Sequence, residues 1–477
     1  MLSLLIVVPF LSVIIFNLPF FNRGRGFIFW WSLLLFGAQA VLSFFLTIPS
    51  YATSFQLPGS MFKFGLMLDG LSILMLLCIG IVASLTLVVA ASVHKDQRRK
   101  FNFINLLLFA VSGMNAVVLV ADIFSLYVFI EITAVASYVL ISFEKDLRAM
   151  SATFKYIVLS IVASVFMLLS IAILLLITGS THFMAIHQAL PRSEHTFLAM
   201  LAVGLFISGL SVKAGLVPFH AWLPDVYSHS SAAVSLFLAG IVSKILGVYA
   251  LIRVVSFVFM PDASVDMVIL SIGLLSIFIA ALAALAQSDL KRMLAYSSIS
   301  QVGYIMLGLG CATPLGMAAA AFHFFNHTIF KSLLFVNAAA LELETGTTDM
   351  HRMGGLSKTM PVTGFTSVLA SLSAAGVPPL AGFWSKLLIV IALWQTGHFA
   401  IAFAAILASV LTLSYLLAMQ RMVFFGKLRQ DLAHTHEAGF GLVLASIVLA
   451  FIVVAAGLFF PFILDVFILP VRFFVGG

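Results

Sequence analysis

The sequence predicts an all-α polytopic membrane protein. Of its 477 residues, 63% are hydrophobic and only 9% are charged, whereas soluble domains carry roughly 25% charged residues. Mean hydropathy is +1.20. The loops between apolar stretches are too short for a soluble domain, so residues 1–477 are expected to form a single transmembrane domain.

Windows of about 20 residues, the helix length that crosses roughly 30 Å of hydrocarbon, locate about fourteen spans. Their centres lie near residues 10, 37, 82, 111, 132, 165, 206, 243, 276, 302, 329, 378, 411 and 455. The chain is accordingly divided into 1–100 (spans 1–3), 101–257 (spans 4–8), 264–426 (spans 9–13) and 440–470 (span 14).

Basic residues are distributed unevenly between alternate loops. The odd-numbered loops hold fifteen Lys and Arg residues, and the other side holds only Lys63, Arg192, Arg253 and Arg472. By the positive-inside rule, the odd loops face the cytoplasm and both termini face outward, across the plasma membrane of a prokaryote. The basic residues form no continuous stripe, which argues against nucleic-acid binding.

Spans 7 and 12 are predicted to be broken helices. They read SGLSVKAGLVPFHAWLP and SLSAAGVPPLAGFWSKLL, each with Ala-Gly followed by proline. Proline removes an amide donor and glycine loosens the helix, so both spans should unwind within the membrane. The break residues are Gly215, Pro218, Gly376, Pro378 and Pro379. Paired interruptions at matching places in two halves indicate an inverted-repeat transporter with ion sites near the midplane.

Ionisable residues inside apolar spans are the main functional signal. Five lysines and one glutamate lie there: Lys155, Lys213, Lys244, Lys331, Lys386 and Glu131. Such residues are costly in hydrocarbon and usually serve an ion or proton path, and lysine can release its proton where arginine cannot. A structural ion pair remains the alternative for Glu131 and Lys213. Snorkelling remains the alternative for Lys244 and Lys386, and snorkelling or helix-end packing for Lys155. A short echo between Thr153-Phe154-Lys155 and Ile329-Phe330-Lys331 also suggests a repeat.

Six stretches between residues 121 and 390 carry a family resemblance. They are ADIFSLYVFIEITAVASYVL, VKAGLVPFHAWLPD, AGIVSKILGVYALIR, SDLKRMLAYSSISQVGYI, HFFNHTIFKSLLF and GVPPLAGFWSKL. In order and spacing, the chain resembles the antiporter-like membrane subunits shared by respiratory NADH dehydrogenase (complex I), energy-converting hydrogenases and formate hydrogenlyases, and Mrp-type sodium/proton antiporters.

The resemblance implies fourteen helices, with spans 4–8 and 9–13 as two inverted repeats, two broken helices and a polar axis along the membrane midplane. Matched motif by motif, the polar axis consists of Glu131, Lys213, Lys244, His323, His327, Lys331 and Lys386. The implied partners are other membrane subunits of one complex, including homologous antiporter-like subunits. The chain resembles the short members of the family, because it ends at Gly477. The large members have a histidine in span 8 at the position of Ala239, whereas the ionisable residue of span 8 in this chain is Lys244.

Three functions remain open from the sequence. The first is a proton-translocating subunit of a redox-driven complex, and the second is an Mrp-type subunit that exchanges sodium for protons. The third is a purely structural scaffold within such an assembly. No cofactor is expected, because no cysteine cluster or dinucleotide fingerprint is present. No metal is expected at His323 and His327, which lack a third ligand. Asp225 and His229 are interpreted either as a water-accessible mouth or as plain loop polarity.

Overall fold

The computed structural model describes residues 2–18, 25–45, 51–56, 63–259 and 263–465, with only the backbone described for 25, 51–56 and 63–64. Two basic residues used for the predicted orientation, Arg23 and Arg472, lie outside the described residues. So does the end of the predicted last span, 466–470.

The described chain is almost entirely helical. The helices are α1 (Leu4–Phe16), α2 (Arg25–Phe45), α3 (Gly70–Val93), α4 (Gln97–Leu119), α5 (Ile123–Ile141), α6 (Leu147–Thr178), α7 (Phe183–Ala189), α8 (Thr196–Ala214), α9 (Trp222–His229), α10 (Ala232–Phe259), α11 (Ala263–Leu285), α12 (Leu290–Gly310), α13 (Pro314–Thr345), α14 (Pro361–Ala375), α15 (Ala381–Gln395), α16 (Phe399–Val423), α17 (Phe440–Leu458) and α18 (Phe460–Ile463). One antiparallel hairpin joins β1 (Tyr51–Gln56) to β2 (Lys63–Leu68).

The prediction of an all-α, multi-pass membrane protein is confirmed. Ten of the described helices are long and apolar enough to cross a membrane, judged by length and composition. Every predicted span centre falls inside a helix except residue 378, which lies between α14 and α15. The total of fourteen spans stays a prediction.

The helix ends follow from local sequence. Aspartates precede five helices, and each carboxylate accepts a hydrogen bond from a first-turn amide: Asp69, Asp96, Asp122, Asp146 and Asp289. Such caps satisfy amides that have no partner within the helix. Asp69 is therefore the cap of α3, and its Oδ1 accepts a hydrogen bond from Ser72 N at 2.8 Å.

Both predicted helix breaks are present. Helix α8 ends at Ala214 and α14 ends at Ala375, and each is followed by a glycine with positive φ, +69° at Gly215 and +86° at Gly376. After each glycine the chain passes through proline before the next helix begins. That helix begins at Trp222 after the first break and at Ala381 after the second. A Cβ on Gly215 would lie 2.5 Å from Leu223 Cδ1, so conformation and space both favour glycine there.

The two halves share further features. Helices α6 and α13 are each 32 residues long and end at a left-handed glycine, Gly179 or Gly346. Just beyond these glycines, Thr181 donates a hydrogen bond to Asp122, and Thr348 donates one to Asp289. These matches support the predicted pair of repeats, whose bounds stay a prediction.

The short sequence echo between the two halves has the wrong register. When α6 is matched to α13 from end to end, Lys331 corresponds to Ser164 and His327 to Ser160. Lys155 lies in the first third of α6, whereas Lys331 lies near the middle of α13. A three-residue similarity is too short to fix a register along a 32-residue helix.

The centre of the fold is α10, whose best membrane-spanning window is completely buried. Helices α3, α4, α8 and α13 pack around it. By contrast, α6, α11 and α16 bury less than half of their windows and form the periphery. Lys244, a residue of the predicted polar axis, therefore lies in the most buried of the candidate spans.

Candidate functional site

The first pair of the polar axis is an ion pair between α8 and α5. Lys213 Nζ lies 2.9 Å from Glu131 Oε1, and the lysine side chain is fully buried while the glutamate is 26% exposed. Ser164 on α6 donates to the same carboxylate oxygen at 2.7 Å, and Lys213 Nζ also bonds Ser160 Oγ. The lysine lies in the last turn of α8, directly before the break, where free carbonyl groups favour a cation.

Aromatic side chains hold this pair in position. Tyr156 stacks on Trp222 with ring centroids 4.1 Å apart, and Tyr138 packs edge-on against Tyr156 at 5.0 Å. Trp222 lies beyond the break, and its indole donates to Val212 O at 3.0 Å. The indole therefore joins the two sides of the break and keeps α9 against the end of α8.

Lys244 is held by the distorted backbone of α10. Two π-helical turns, Leu238–Val242 and Lys244–Tyr249, surround it. Its ammonium donates to Ala239 O and to Gly240 O, the latter at 2.9 Å. Single-turn π insertions within helices are frequent at functional sites, because the wider turn changes the usual pairing of backbone groups.

Two glycines let neighbouring helices approach α10 closely. A Cβ on Gly247 would lie 2.3 Å from Ala214 N, at the end of the helix that carries Lys213. A Cβ on Gly240 would lie 2.7 Å from Ser332 Oγ on α13. Helix α10 thus connects the first half of the polar axis to the second by direct packing.

The cluster on α13 is fully buried. The rings of His323 and His327 are nearly parallel, with centroids 6.4 Å apart, and His323 Nδ1 lies 2.9 Å from Ser385 Oγ. Lys331 donates to Leu294 O at 3.1 Å. Within the described chain, neither ring nitrogen of His327 has a hydrogen-bond partner. Buried polar atoms need a partner, and ordered water commonly supplies it.

Lys386 lies at the second break but on its far side. It belongs to α15, and its ammonium donates to Ala374 O at 2.8 Å, the carbonyl of the preceding helix. The charge also lies 4.3 Å from the centre of the Tyr304 ring. At the first break the cation is Lys213, which lies on the helix before the break. At the second break it is Lys386, which lies on the helix after the break. No carboxylate pairs with Lys386 among the described residues.

Comparison with known proteins identifies the family of this chain. The family model for the NADH:quinone oxidoreductase/Mrp antiporter transmembrane region matches residues 120–412, more than half of the chain. The chain belongs to this family. The resemblance drawn from the six sequence stretches is therefore confirmed.

Relatives and solved structures come from several complexes of this family. A Na+/H+ antiporter subunit of Alkalihalophilus pseudofirmus is 32% identical over 83% of this chain and 81% of its own. An NADH-quinone oxidoreductase subunit of Desulforudis audaxviator is 35% identical over 67% of this chain and 64% of its own. A chain of an archaeal membrane-bound sulfane sulfur reductase is 29% identical, with a TM-score of 0.85, over 95% of this chain and 75% of its own. A chain of the Mrp complex from Dietzia sp. is 23% identical with a TM-score of 0.90 over 98% of this chain and 96% of its own, and it supports the fold alone.

Several polar contacts of this family member were not predicted from its sequence. Ser160, Ser164 and Ser385 contact the ionisable groups directly, but serine is common between membrane helices and carries no distinctive spacing. Arg253 was assigned to a loop, and that assignment is wrong. The residue is 1% exposed and pairs with Asp69.

The expectation for Asp225 and His229 as a water-accessible mouth stays a prediction. Asp225 is half-buried and pairs with Lys155 Nζ at 2.7 Å and Arg292 Nη1 at 2.6 Å. His229 Nδ1 lies 2.9 Å from Asp225 O. The Lys155 side chain is 56% exposed, so this lysine lies at the surface of the chain rather than inside it.

A charged cleft of about 460 Å³ opens at the predicted cytoplasmic side. Here Glu144 pairs with His94 at 3.3 Å and Arg99 at 3.0 Å. Burial lowers the pKa of His94, and the nearby Glu144 carboxylate opposes that shift. Glu342 lines the same cleft and pairs with the buried Lys291 at the start of α12.

Proposed function

We propose that this chain is a proton-translocating membrane subunit of a multisubunit, redox-driven ion pump. The observation that carries the proposal is the buried Lys213–Glu131 pair at 2.9 Å, followed by lysines and histidines with few or no charged partners. A lysine beside a carboxylate keeps its proton, whereas a buried lysine without one tends to release it. Separation of Glu131 from Lys213 would therefore switch that lysine from holding a proton to passing it on.

The proposed path follows the polar axis. Protons pass from Lys213 to Lys244, through the region of His323, His327 and Lys331, and on to Lys386. Unpartnered polar atoms along α13 support the middle of this path, since Thr328 Oγ1, Ser332 Oγ and both nitrogens of His327 need hydrogen-bond partners. Water molecules between the fixed groups would complete it.

Other membrane subunits are the proposed partners, because the solved relatives belong to multisubunit membrane complexes. A change in a neighbouring subunit would move Glu131, which is more exposed than its partner Lys213. We place the protein in the plasma membrane of a prokaryote with both termini outside, as the loop charges indicate.

The redox-driven function is supported by the sulfane sulfur reductase chain, which is 29% identical to this chain over 95% of its length. The second candidate is an Mrp-type subunit that exchanges sodium for protons. It is favoured by the Na+/H+ antiporter relative from A. pseudofirmus, which matches 83% of this chain. Purification of the intact complex separates the two. Hydrogenase or NADH-oxidising subunits support the first, and a set of small membrane subunits alone supports the second.

The test of proton translocation uses the whole complex in liposomes with a pH-sensitive dye. Lys244→Met should lower translocation by on the order of tenfold or more, since a proton-relay group contributes at least that much. The control is Lys358→Met, which changes an exposed loop lysine. Translocation at the wild-type rate by an assembled Lys244→Met complex would overturn the proposal.

A further inference from the structure

A groove of about 260 Å³ opens on the surface of the chain beside the loop between α3 and α4. Its walls come from the first turns of α2, the last turns of α3 and the first turns of α4. We name it the basic groove, and its principal lining residues are Phe29, Trp30, Leu87, Ala90, Lys100 and Phe103. The groove lies outside the polar axis, and none of these residues was singled out from the sequence as functional.

The interior of the basic groove is apolar. Leu87 is 1% exposed and Phe103 is fully buried, so these two side chains close its inner side. Trp30 is 67% exposed and forms the outer edge. Tryptophan is enriched where membrane meets water, because its large ring is apolar and its N–H group is polar. The exposed ring therefore marks the level of the lipid head groups.

The mouth of the groove carries positive charge. Four cations lie close together at the start of α4 and in the loop before it: Lys95, Arg98, Arg99 and Lys100. Glu144 pairs with Arg99 at 3.0 Å. No carboxylate of the described residues lies within ion-pair distance of the other three cations. Clusters of this size directly beside a membrane helix bind anionic lipid head groups.

The combination of free cation and apolar interior distinguishes this groove from two other cavities. The charged cleft beside His94 is lined by three carboxylates, those of Asp96, Glu144 and Glu342. A larger cavity of about 600 Å³ between α2, α3, α13 and α17 is lined by apolar side chains alone. The basic groove is lined by Lys100 and Gln97 together with apolar residues, and by no carboxylate.

The position of the groove fits both parts of a phospholipid. Leu87 lies six residues before the last residue of α3, which is about 9 Å deeper along the helix axis at 1.5 Å per residue. The groove therefore runs from a charged loop into the hydrocarbon region. Its volume of about 260 Å³ is slightly below the range of roughly 300–1,000 Å³ that small-molecule pockets occupy. It has room for the glycerol region and the upper part of one acyl chain, and the rest of the lipid stays in the bilayer.

We propose that the basic groove binds an anionic glycerophospholipid from the leaflet on the side of the odd-numbered loops. The phosphodiester lies beside the ammonium of Lys100, and one acyl chain packs against Leu87 and Phe103. The lysine is half-buried, so its apolar stem lines the groove while its charge reaches the mouth. The bound lipid joins α2 to α4 at their first turns. This site goes beyond the proposed function and does not depend on proton translocation.

The experiment is photo-crosslinking of the intact complex in phosphatidylcholine nanodiscs. A small fraction of the lipid is phosphatidylglycerol with a diazirine in the acyl chain close to the glycerol, and labelled peptides are identified by mass spectrometry. Peptides from the start of α2 and the end of α3 should be labelled. Excess unlabelled phosphatidylglycerol should prevent this labelling, whereas excess phosphatidylcholine or inorganic phosphate should not.

Three results would overturn the proposal. Absence of label from the walls of the groove would show that no lipid enters it in the intact complex. Equal competition by phosphatidylcholine would remove the requirement for an anionic head group. Competition by inorganic phosphate would identify a site for a free anion rather than for a lipid.

Charge variants test the role of Lys100. Lys100→Met keeps the apolar stem and should lower labelling about fivefold, the effect of one cation close to an anionic membrane surface. Lys100→Arg keeps the charge and should label like the wild type. The control is Lys358→Met, which removes an exposed lysine from another odd-numbered loop. Wild-type labelling of Lys100→Met would overturn the proposal.

A second pair of variants blocks the groove without changing its charge. Gly26 lines the groove, and a Cβ added there meets no atom within 4 Å, so Gly26→Trp places a ring at the mouth without a clash at its Cβ. Gly37→Trp on the same helix is the matched control, since its Cβ also meets no atom within 4 Å and it lies outside the groove. Labelling should fall in Gly26→Trp alone. Equal labelling of the two variants would overturn the proposal.

Discussion

Lys213 and Glu131 form a pair with unequal access to the outside of the chain. Their charged atoms are 2.9 Å apart, but only the glutamate is partly exposed. The carboxylate can therefore be moved by a neighbouring surface, whereas the lysine is held among α6, α8 and α10. This asymmetry supports the proposal that a partner subunit acts on the pair through Glu131.

Removal of the Glu131 carboxylate should uncouple the polar axis. Glu131→Gln and Glu131→Ala leave the buried ammonium without its counter-charge, which in a buried pair costs about 3–5 kcal/mol. Lys213 should then release its proton, and translocation should fall by on the order of tenfold, with less packing damage in the Gln variant. Glu194→Gln, in an exposed loop, is the control. Wild-type pumping stoichiometry in either Glu131 variant would contradict the switch role.

Substitution of Lys386 distinguishes a fixed charge from proton transfer. Met preserves the length and apolar bulk of the side chain but carries no proton, and Arg preserves the charge but does not readily release one. Both variants should lose most proton translocation in reconstituted complexes. Full activity of Lys386→Arg alone would show that the second break needs only a permanent positive charge over Tyr304 and near Ala374 O.

Substitutions that make the helix continuous through the first break should displace Lys213. The double variant Gly215→Ala with Pro218→Ala favours a continuous helix, and an alanine at Gly215 is strained by about 1–3 kcal/mol if the left-handed conformation persists. Proton translocation should fall because Lys213 no longer faces Glu131. Gly204→Ala, on the same helix with no atom within 4 Å of the added methyl, should have no effect. Unchanged translocation in the double variant would separate the break from the mechanism.

The Arg253–Asp69 pair should be structural. Arg253 also donates to the Tyr249 hydroxyl at 3.0 Å and Ser72 Oγ at 2.9 Å, so its charge is fully engaged. Arg253→Leu should lower the free energy of unfolding by about 3–5 kcal/mol, and adding Asp69→Asn should restore part of it. Thermal unfolding of the purified protein measures this change. Loss of translocation in a variant that remains folded and assembled would contradict a structural role.

Sequence reasoning succeeded where the chemistry of one residue type determines the local structure. The apolar spans followed from hydrocarbon thickness, and both breaks followed from glycine and proline chemistry at Gly215 and Gly376. It failed for Arg253, because only the folded chain brings Asp69 next to it from a distant helix. It left Lys155 open, and the structure shows that residue exposed and paired with Asp225.

The sequence by itself determined the class, the breaks and the family, because each depends on local composition or a continuous motif. It also located the ionisable residues of the apolar spans, whose role in a polar axis stays a prediction. Only the tertiary structure decided which groups meet. It paired Lys213 with Glu131, gave Lys244 two carbonyl partners through π-helical turns, and set Lys386 over Tyr304. Hydroxyl and amide side chains acquire such partners only when helices pack, since their separation along the chain carries no information about distance in space.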